Sequence, residues 1–141
     1  MKVEGTSMEG IVSNGDNVMV AKGYYVCNEI CRKDIVIYHY AGMKIPLIKI
    51  VCGVPGDSLK TEGSHVLING KPVLLSYGSP YIADNGALKI IKLYEQSYQG
   101  IIPKDAFLIL GNKTGTTDSG RFGLAGKQDI LGKVFLLSKD H

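Results

Sequence analysis

The chain has 141 residues, enough for one domain that buries its own core. Hydrophobic residues make up 45% of the chain and charged residues 21%, a globular balance that excludes wholesale disorder. The net charge of +3 comes from scattered lysines, with no basic stripe interleaved with aromatic residues, so we expect no nucleic-acid partner.

Alternating, β-branched runs predict a series of strands, and the eighteen glycines and eight tyrosines favour strands and turns over helices. Asn69-Gly70 predicts a type I′ hairpin, because both residues tolerate positive φ. Short turns of helix are expected at Leu93–Gln99 and Lys127–Leu131. The predicted strands are Asn17–Ala21, Asp34–Tyr40, Pro46–Val51, Val66–Ile68, Lys71–Leu74, Leu88–Lys92, Phe107–Leu110 and Gly132–Leu137.

The domain organisation predicted from these runs is a single mainly β domain over residues 1–141. The stretch Ser76–Gly100 has the weakest pattern and is a candidate insertion on the sheet framework. The longest apolar runs are too short or too interrupted to span a bilayer.

The three cysteines are an odd number, so they form no complete disulfide set. Cys27 and Cys31 are spaced only loosely like a metal or redox pair, and no second pair or nearby histidine completes a zinc site. A local bridge between them and two free thiols are the alternatives. We expect no metal and no cofactor.

The first candidate for chemistry is Ser7, a small hydroxyl in the glycine-flanked turn Gly5-Thr6-Ser7-Met8. Serine in such a turn is more often a turn residue than a nucleophile. The second candidate is Lys49, which lies in an apolar strand where an ammonium group is costly. A lysine that loses its proton there can deprotonate a serine, whereas a lysine at a strand edge would simply reach water.

Several segments, in the same order along the chain, resemble the type I signal peptidase family, the serine–lysine leader-peptide proteases. Gly5-Thr6-Ser7-Met8 resembles the nucleophile box of that family, and Lys49 through Asp57 resembles its general-base box. The likeness continues through Gly15–Val20, Val66–Val73, Ile102–Phe107, Leu110–Asn112, Thr117–Gly123 and Asp129–Lys133, and it excludes Ser76–Gly100.

The resemblance implies a fold of coiled antiparallel β-sheets of the signal-peptidase and repressor-protease type, with few short helices. It implies Ser7 as nucleophile and Lys49 as general base. Thr116 would orient the lysine amine, and Asp118 would hold the loop that carries Thr116. The oxyanion would be met by the backbone N–H of Ser7 with help from the Gly5 region.

The resemblance also implies a substrate and a location. Met8 would lie beside the pocket for the small residue that precedes the cut. The partners would be preproteins that carry signal peptides, together with a membrane surface. The catalytic domain would lie on the extracytoplasmic side, held by an anchor that is absent from this chain.

The sequence departs from the family pattern at several positions. Gly10 replaces the usual proline, and Ile50 replaces the basic residue that commonly follows the lysine. Gly111-Asn112-Lys113 replaces a typical G-D-N-R, and Arg121 falls one place late. These changes either remove a salt-bridge network or reroute it through Arg121 and Lys113.

Three alternatives stay open from the sequence. A conjugation-type peptidase that matures pilin shares the same dyad. Self-cleaving repressor proteases share the serine turn, but they need an internal scissile bond before the serine, and only six residues precede Ser7. A non-catalytic relative would bind extended peptides without cutting them.

Overall fold

The computed structural model describes residues 1–3, 5–40, 44–113 and 116–137. Strands make up most of the regular structure, as the composition predicts. In chain order the elements are β1 (Val18–Lys22), α1 (Tyr24–Cys27), β2 (Ile35–Tyr38), β3 (Leu47–Gly53), β4 (Leu59–Glu62), β5 (His65–Ile68), β6 (Lys71–Pro72), α2 (Asn85–Ser97), β7 (Ala106–Leu110), α3 (Ser119–Phe122), β8 (Ala125–Gly126), a 3₁₀ turn (Lys127–Asp129) and β9 (Ile130–Leu136).

The strands form two antiparallel sheets. The larger sheet has the order β1-β9-β2-β3-β7-β8, so strands from both ends of the chain meet beside β2. The smaller sheet, β4-β5-β6, is a meander whose last turn has Asn69 at φ 53° and Gly70 at φ 82°. These two positive φ values and the pairing of Ile68 with Lys71 confirm the predicted hairpin.

The mainly β fold predicted from the sequence is confirmed, and most of the predicted strands overlap observed ones. One prediction, a strand at Leu88–Lys92, is wrong because these residues lie inside α2. Asp84 caps that helix by accepting the N–H of Ala87 at 2.8 Å, and Ala87 and Ile91 then bury one face at the helical spacing of four residues. The predicted turn at Leu93–Gln99 is the second half of the same helix.

Two core clusters meet on opposite faces of β3, because successive side chains of a strand alternate. Ile48 faces a cluster that contains Val3 and Met8 from the amino-terminal segment. Val51 faces the other cluster, with Val36 of β2 and Ile109 of β7. Lys49 shares the face of Val51, and the sheet therefore places this lysine inside an apolar layer.

The two edges of β3 are paired over different lengths. Along one edge, β2 pairs with Leu47 through Ile50. Along the other edge, pairing with β7 begins only at Ile50, which is opposite Leu110. Within the described ranges no strand pairs with the β7-side edge of Leu47–Lys49. The open edge ends at the predicted general base.

The described part of the chain contains no helix that is both long and apolar enough to cross a membrane. The same residues contain no cluster of three or more His, Cys, Asp or Glu side chains suited to a metal ion. The three cysteines are unbridged, with Cys27 and Cys31 exposed.

The close contact between β1 and β9 leads to a stability prediction at Gly132. A Cβ at this position would lie 2.3 Å from the carbonyl oxygen of Ala21, a backbone atom that cannot move without opening the pairing. We expect Gly132→Ala to lower the free energy of unfolding by about 2–3 kcal/mol in urea titrations.

Gly53→Ala is the matched control, because it makes the same change inside a strand. Its new Cβ would meet side-chain atoms, Cδ1 of Ile102 at 2.6 Å, Cδ1 of Ile68 at 3.1 Å and Cβ of Leu108 at 3.3 Å, and the two isoleucine ends can shift more easily than a paired backbone. We expect a loss of only about 1 kcal/mol there. Equal losses in the two variants would contradict the assignment of the cost to the Ala21 backbone.

Candidate active site

Ser7 lies in a tight turn, residues 5–10, which we call the serine turn. The turn is closed by the N–H of Glu9, which donates to the carbonyl of Thr6 at 3.1 Å, and it begins at Gly5 with φ 88°. The N–H of Gly5 donates to Oδ1 of Asn14 at 3.0 Å. Met8 is only 2% exposed and anchors the turn in the core beside Ile48.

Lys49 is 1% exposed, in the middle of β3. Burial lowers the pKa of its amine from the ordinary 10.5 to about 8, since a charged ammonium loses its hydration there. The negative charge of Asp118 acts in the opposite direction and raises this pKa. A neutral amine is therefore accessible near neutral pH, as base chemistry requires.

Asp118 is fully buried and organises the loop that follows β7. Its Oδ2 accepts the N–H of Gly111 at 3.0 Å and the hydroxyl of Thr116 at 2.7 Å. Its Oδ1 accepts the N–H of Gly120 at 2.8 Å and so caps α3. One carboxylate thus fixes the position of Thr116 relative to the end of β7.

Gly111 lies between the serine turn and the loop that carries Thr116. It follows Leu110, the partner of Ile50, so the antiparallel register puts Gly111 opposite Lys49, with both side-chain directions on one face. A Cβ at Gly111 would lie 2.6 Å from Oγ1 of Thr116 and 2.9 Å from the carbonyl oxygen of Ser7. Thr116 and the carbonyl of Ser7 therefore meet beside Gly111, at the strand position opposite Lys49.

Asn112 ties the serine turn to the loop before α2, and the sequence analysis did not assign it this part. Its N–H donates to the carbonyl of Ser7 at 2.7 Å, and its Nδ2 donates to the carbonyl of Glu9 at 2.6 Å. The same side chain also accepts the N–H of Ser76 at 2.8 Å and donates to its hydroxyl at 2.7 Å. Asn112 is 1% exposed, so these hydrogen bonds are shielded from water.

The two basic residues expected to carry a rerouted network have different partners. Lys113 donates to the hydroxyl of Thr6 at 2.7 Å and lies 3.7 Å from the carboxylate of Glu9, so it braces the serine turn. Arg121 instead pairs with Asp84 through two bonds of 2.9 and 3.1 Å, which links α3 to the start of α2. Only Lys113 acts directly on the serine turn.

A cleft of about 410 Å³ opens beside Ser7, along the open edge of β3. Its lining is mostly apolar. One wall is the amino-terminal segment and the other is the start of β3, and the lining residues are Met1, Lys2, Val3, Gly5, Ser7, Met8, Ile45, Pro46, Leu47 and Ile48. Met8 is among the lining residues.

The sequence carried weak signals for Gly111 and Asn112. A glycine that ends a strand usually indicates a turn, and here a close approach of side chains requires it. An asparagine in a loop usually indicates a turn as well, and nothing local shows that its amide is buried. Both roles depend on a register between β3 and β7 that only the fold reveals.

Comparison with known proteins gives the same assignment along nearly the whole chain. The family model for signal peptidase, peptidase S26, matches residues 1–138. A signal peptidase I from Bacillus caldolyticus is 32% identical over 136 residues, which cover 94% of this chain and 74% of that protein. The signal peptidase I V of Bacillus subtilis is 29% identical over 137 residues, with 94% and 81% covered.

A solved structure is also similar. The crystal structure of a signal peptidase I from Enterococcus faecalis has a TM-score of 0.55 at 19% identity, covering 79% of this chain and 98% of that chain. At this identity the likeness shows the fold. The chain belongs to the signal peptidase family, peptidase S26, and is a serine endopeptidase.

The burial of Lys49 predicts a pH-dependent stability. The unfolded chain binds a proton at Lys49 up to pH 10.5, whereas the folded chain releases it at about 8, so unfolding takes up a proton between these values. Stability should therefore rise with pH across this window. Lys49→Met has no titrating group at this position. Relative to this variant, the unfolding free energy of wild type should increase by about 3 kcal/mol between pH 8 and 10.5.

The measurement is the unfolding free energy of both proteins at several pH values in this window. Lys22→Met makes the same change at an exposed lysine of β1 and measures what the loss of any one lysine does to the unfolding free energy. A flat difference between wild type and Lys49→Met would show that the buried amine keeps its ordinary pKa.

Proposed function

We propose that this peptidase removes amino-terminal signal peptides from exported preproteins, with Ser7 as nucleophile and Lys49 as general base. The observation that carries the proposal is the arrangement around Gly111. The register of β3 and β7, continued by one residue, puts a buried lysine whose pKa is lowered to about 8 opposite Gly111, and Thr116 and the carbonyl of Ser7 lie against that glycine.

The reaction begins when neutral Lys49 takes the proton of the Ser7 hydroxyl and Oγ attacks the scissile carbonyl carbon. The backbone N–H of Ser7 meets the oxyanion. The N–H of Gly5 already donates to Asn14, so Gly5 does not donate to the oxyanion itself. It contributes through its positive φ, which shapes the turn that carries Ser7. Collapse of the tetrahedral intermediate breaks the C–N bond, and the Lys49 ammonium gives its proton to the leaving amine.

The acyl-enzyme is then hydrolysed by the same groups. Lys49, again neutral, takes a proton from water, and the resulting hydroxide attacks the ester carbon. As the second tetrahedral intermediate collapses, the Lys49 ammonium returns its proton to Ser7 Oγ, and the leader leaves as a carboxylic acid that ionises in water. Thr116 orients the amine, and Asp118 holds Thr116 in place through the 2.7 Å bond to its hydroxyl.

The substrate would lie extended along the open edge of Leu47–Lys49, adding a strand to the sheet. The residues before the cut would fill the cleft beside Met8, whose apolar walls and volume of about 410 Å³ suit small apolar side chains. Backbone pairing would supply affinity, and the cleft would supply the preference for Ala-x-Ala. No observation favours pilin over a leader peptide.

We also propose contact with a membrane surface on the extracytoplasmic side. The supporting feature is a set of apolar side chains left in solvent at and near the β1–β9 edge, each about half exposed. Apolar side chains exposed near one another can mark a membrane contact site. They are Met1, Met19, Leu136 and Leu137. We further propose one catalytic domain, with Ser76–Gly100 an insertion that carries α2.

The dyad is tested by removing each member in turn. Ser7→Ala removes the nucleophile and Lys49→Met removes the base, so each should lower kcat/KM on a leader peptide with Ala-x-Ala before the cut by at least ~10³-fold. Mass spectrometry of the products gives the rate and the cleavage site.

The controls are Ser13→Ala and Lys22→Met, the same substitutions at exposed positions, and both should keep full activity. A serine-directed acylating probe should label Ser7 in wild type. Retention of more than about a tenth of the activity by Ser7→Ala or Lys49→Met would sink the dyad assignment, and absence of labelling would favour a non-catalytic peptide-binding relative.

The pH dependence separates charge from positioning around Lys49. In wild type kcat/KM should rise with pH through about 8, as Lys49 loses its proton. Asp118 raises the pKa of Lys49, so Asp118→Asn should move this rise to lower pH. Thr116→Val keeps the charge of Asp118 and should lower the rate without moving the rise.

Profiles of kcat/KM from roughly pH 6 to pH 10 for the three proteins give the comparison. A rise for Asp118→Asn at an unchanged or higher pH would contradict the electrostatic role given to Asp118.

A further inference from the structure

The open edge of β3 ends at Lys49, and this has a consequence for the substrate beyond the cut. From Ile50 onward β7 occupies the edge, with Leu110 opposite Ile50 and Ile109 opposite Val51. A peptide that pairs with Leu47–Lys49 cannot continue along β3, because the backbone groups there are already used. With the leader residues in the cleft beside Leu47 and Ile48, the residues after the scissile bond would leave the sheet beyond Lys49, near Gly111 and Asn112.

The surface next to that exit is the loop from Leu75 to Ser79, which we call the 75–79 loop. The loop closes on itself, because the N–H of Leu75 donates to the carbonyl of Ser79 at 2.7 Å and the N–H of Gly78 donates to the carbonyl of Leu75 at 2.9 Å. It is therefore a defined turn with its own hydrogen bonds.

The 75–79 loop is fixed to the serine turn through one buried side chain. Asn112 binds both the N–H and the hydroxyl of Ser76, and it also binds the carbonyl of Glu9, two residues after Ser7. A Cβ at Gly10 would lie 3.2 Å from the Ser76 hydroxyl, so the loop and the turn are in direct contact. The loop thus borders the serine turn, and none of its residues lines the cleft.

Tyr77 follows Ser76 directly, and 66% of its surface is exposed. An aromatic side chain held in solvent by an anchored turn loses little conformational entropy on contact with a partner. The partner expected to contact Tyr77 is the substrate chain, which would leave the sheet near Asn112.

We propose that Tyr77 contacts the residues that follow the scissile bond and makes the 75–79 loop the binding wall for the mature part of the substrate. This inference rests on the proposed function, which puts the leader residues in the cleft, a cavity that the 75–79 loop does not line. Tyr77 binds substrate here and takes no part in the proton transfers.

The test combines one enzyme substitution with one substrate truncation. Two peptides share the same leader part ending in Ala-x-Ala; the long one has five residues after the cut, and the short one has a single residue with an amide end. Tyr77→Ala should lower kcat/KM for the long peptide about five- to tenfold, mostly through KM, as expected for loss of an aromatic contact. The short peptide should be cleaved at the wild-type rate.

Tyr98→Ala is the matched control, because Tyr98 is also an exposed tyrosine but lies at the end of α2 against Tyr94. It should leave both peptides unaffected, and Tyr77→Phe should keep the preference for the long peptide. An equal loss on both peptides would assign Tyr77 a structural role and overturn the proposal, as would no loss on either. If wild type cleaves neither peptide, the proposed function itself fails, a result distinct from both.

Discussion

The burial of one ammonium group is the constraint on which this structure depends. Lys49 lies in the central part of a sheet where a charge is costly, and its amine is useful only if the site stays dry enough to release the proton. The apolar faces of β2, β3 and β7 provide that environment. The same packing that stabilises the fold therefore sets the chemistry, because any change that admits water to Val36 or Val51 also restores the charge on Lys49.

Asp118 limits how far burial lowers the pKa of Lys49. A buried carboxylate near a lysine favours the charged amine, so Asp118 works against the effect of burial on the pKa of Lys49. Its three hydrogen bonds explain why the fold keeps it, since they join Gly111, Thr116 and the start of α3 in one unit. The value of about 8 is thus a balance between a desolvated amine and the carboxylate needed to hold the loop.

Much of the fold was predictable because strand signals are local. The alternation around Lys49 and the Asn69-Gly70 turn each specify their own structure within a few residues. The strand predicted at Leu88–Lys92 is wrong because the decisive contacts are longer in range: Asp84 caps the helix, and Ala87 with Ile91 finds a core surface. Ser7 and Lys49 could be proposed from sequence, whereas Gly111 and Asn112 depend on strand register.

The loop around Asn112 shows why a neutral side chain suits this position. An amide can donate to Glu9 and Ser76 and accept from Ser76 at once, and it adds no charge at this buried position. A buried carboxylate there could not donate to Glu9, and a buried cation would need its own partner. The charged groups are instead kept outside: Lys113 braces the serine turn at the surface, and Arg121 pairs with Asp84. The sequence changes that seemed to remove a network thus leave the turn anchored and the dry site free of extra charge.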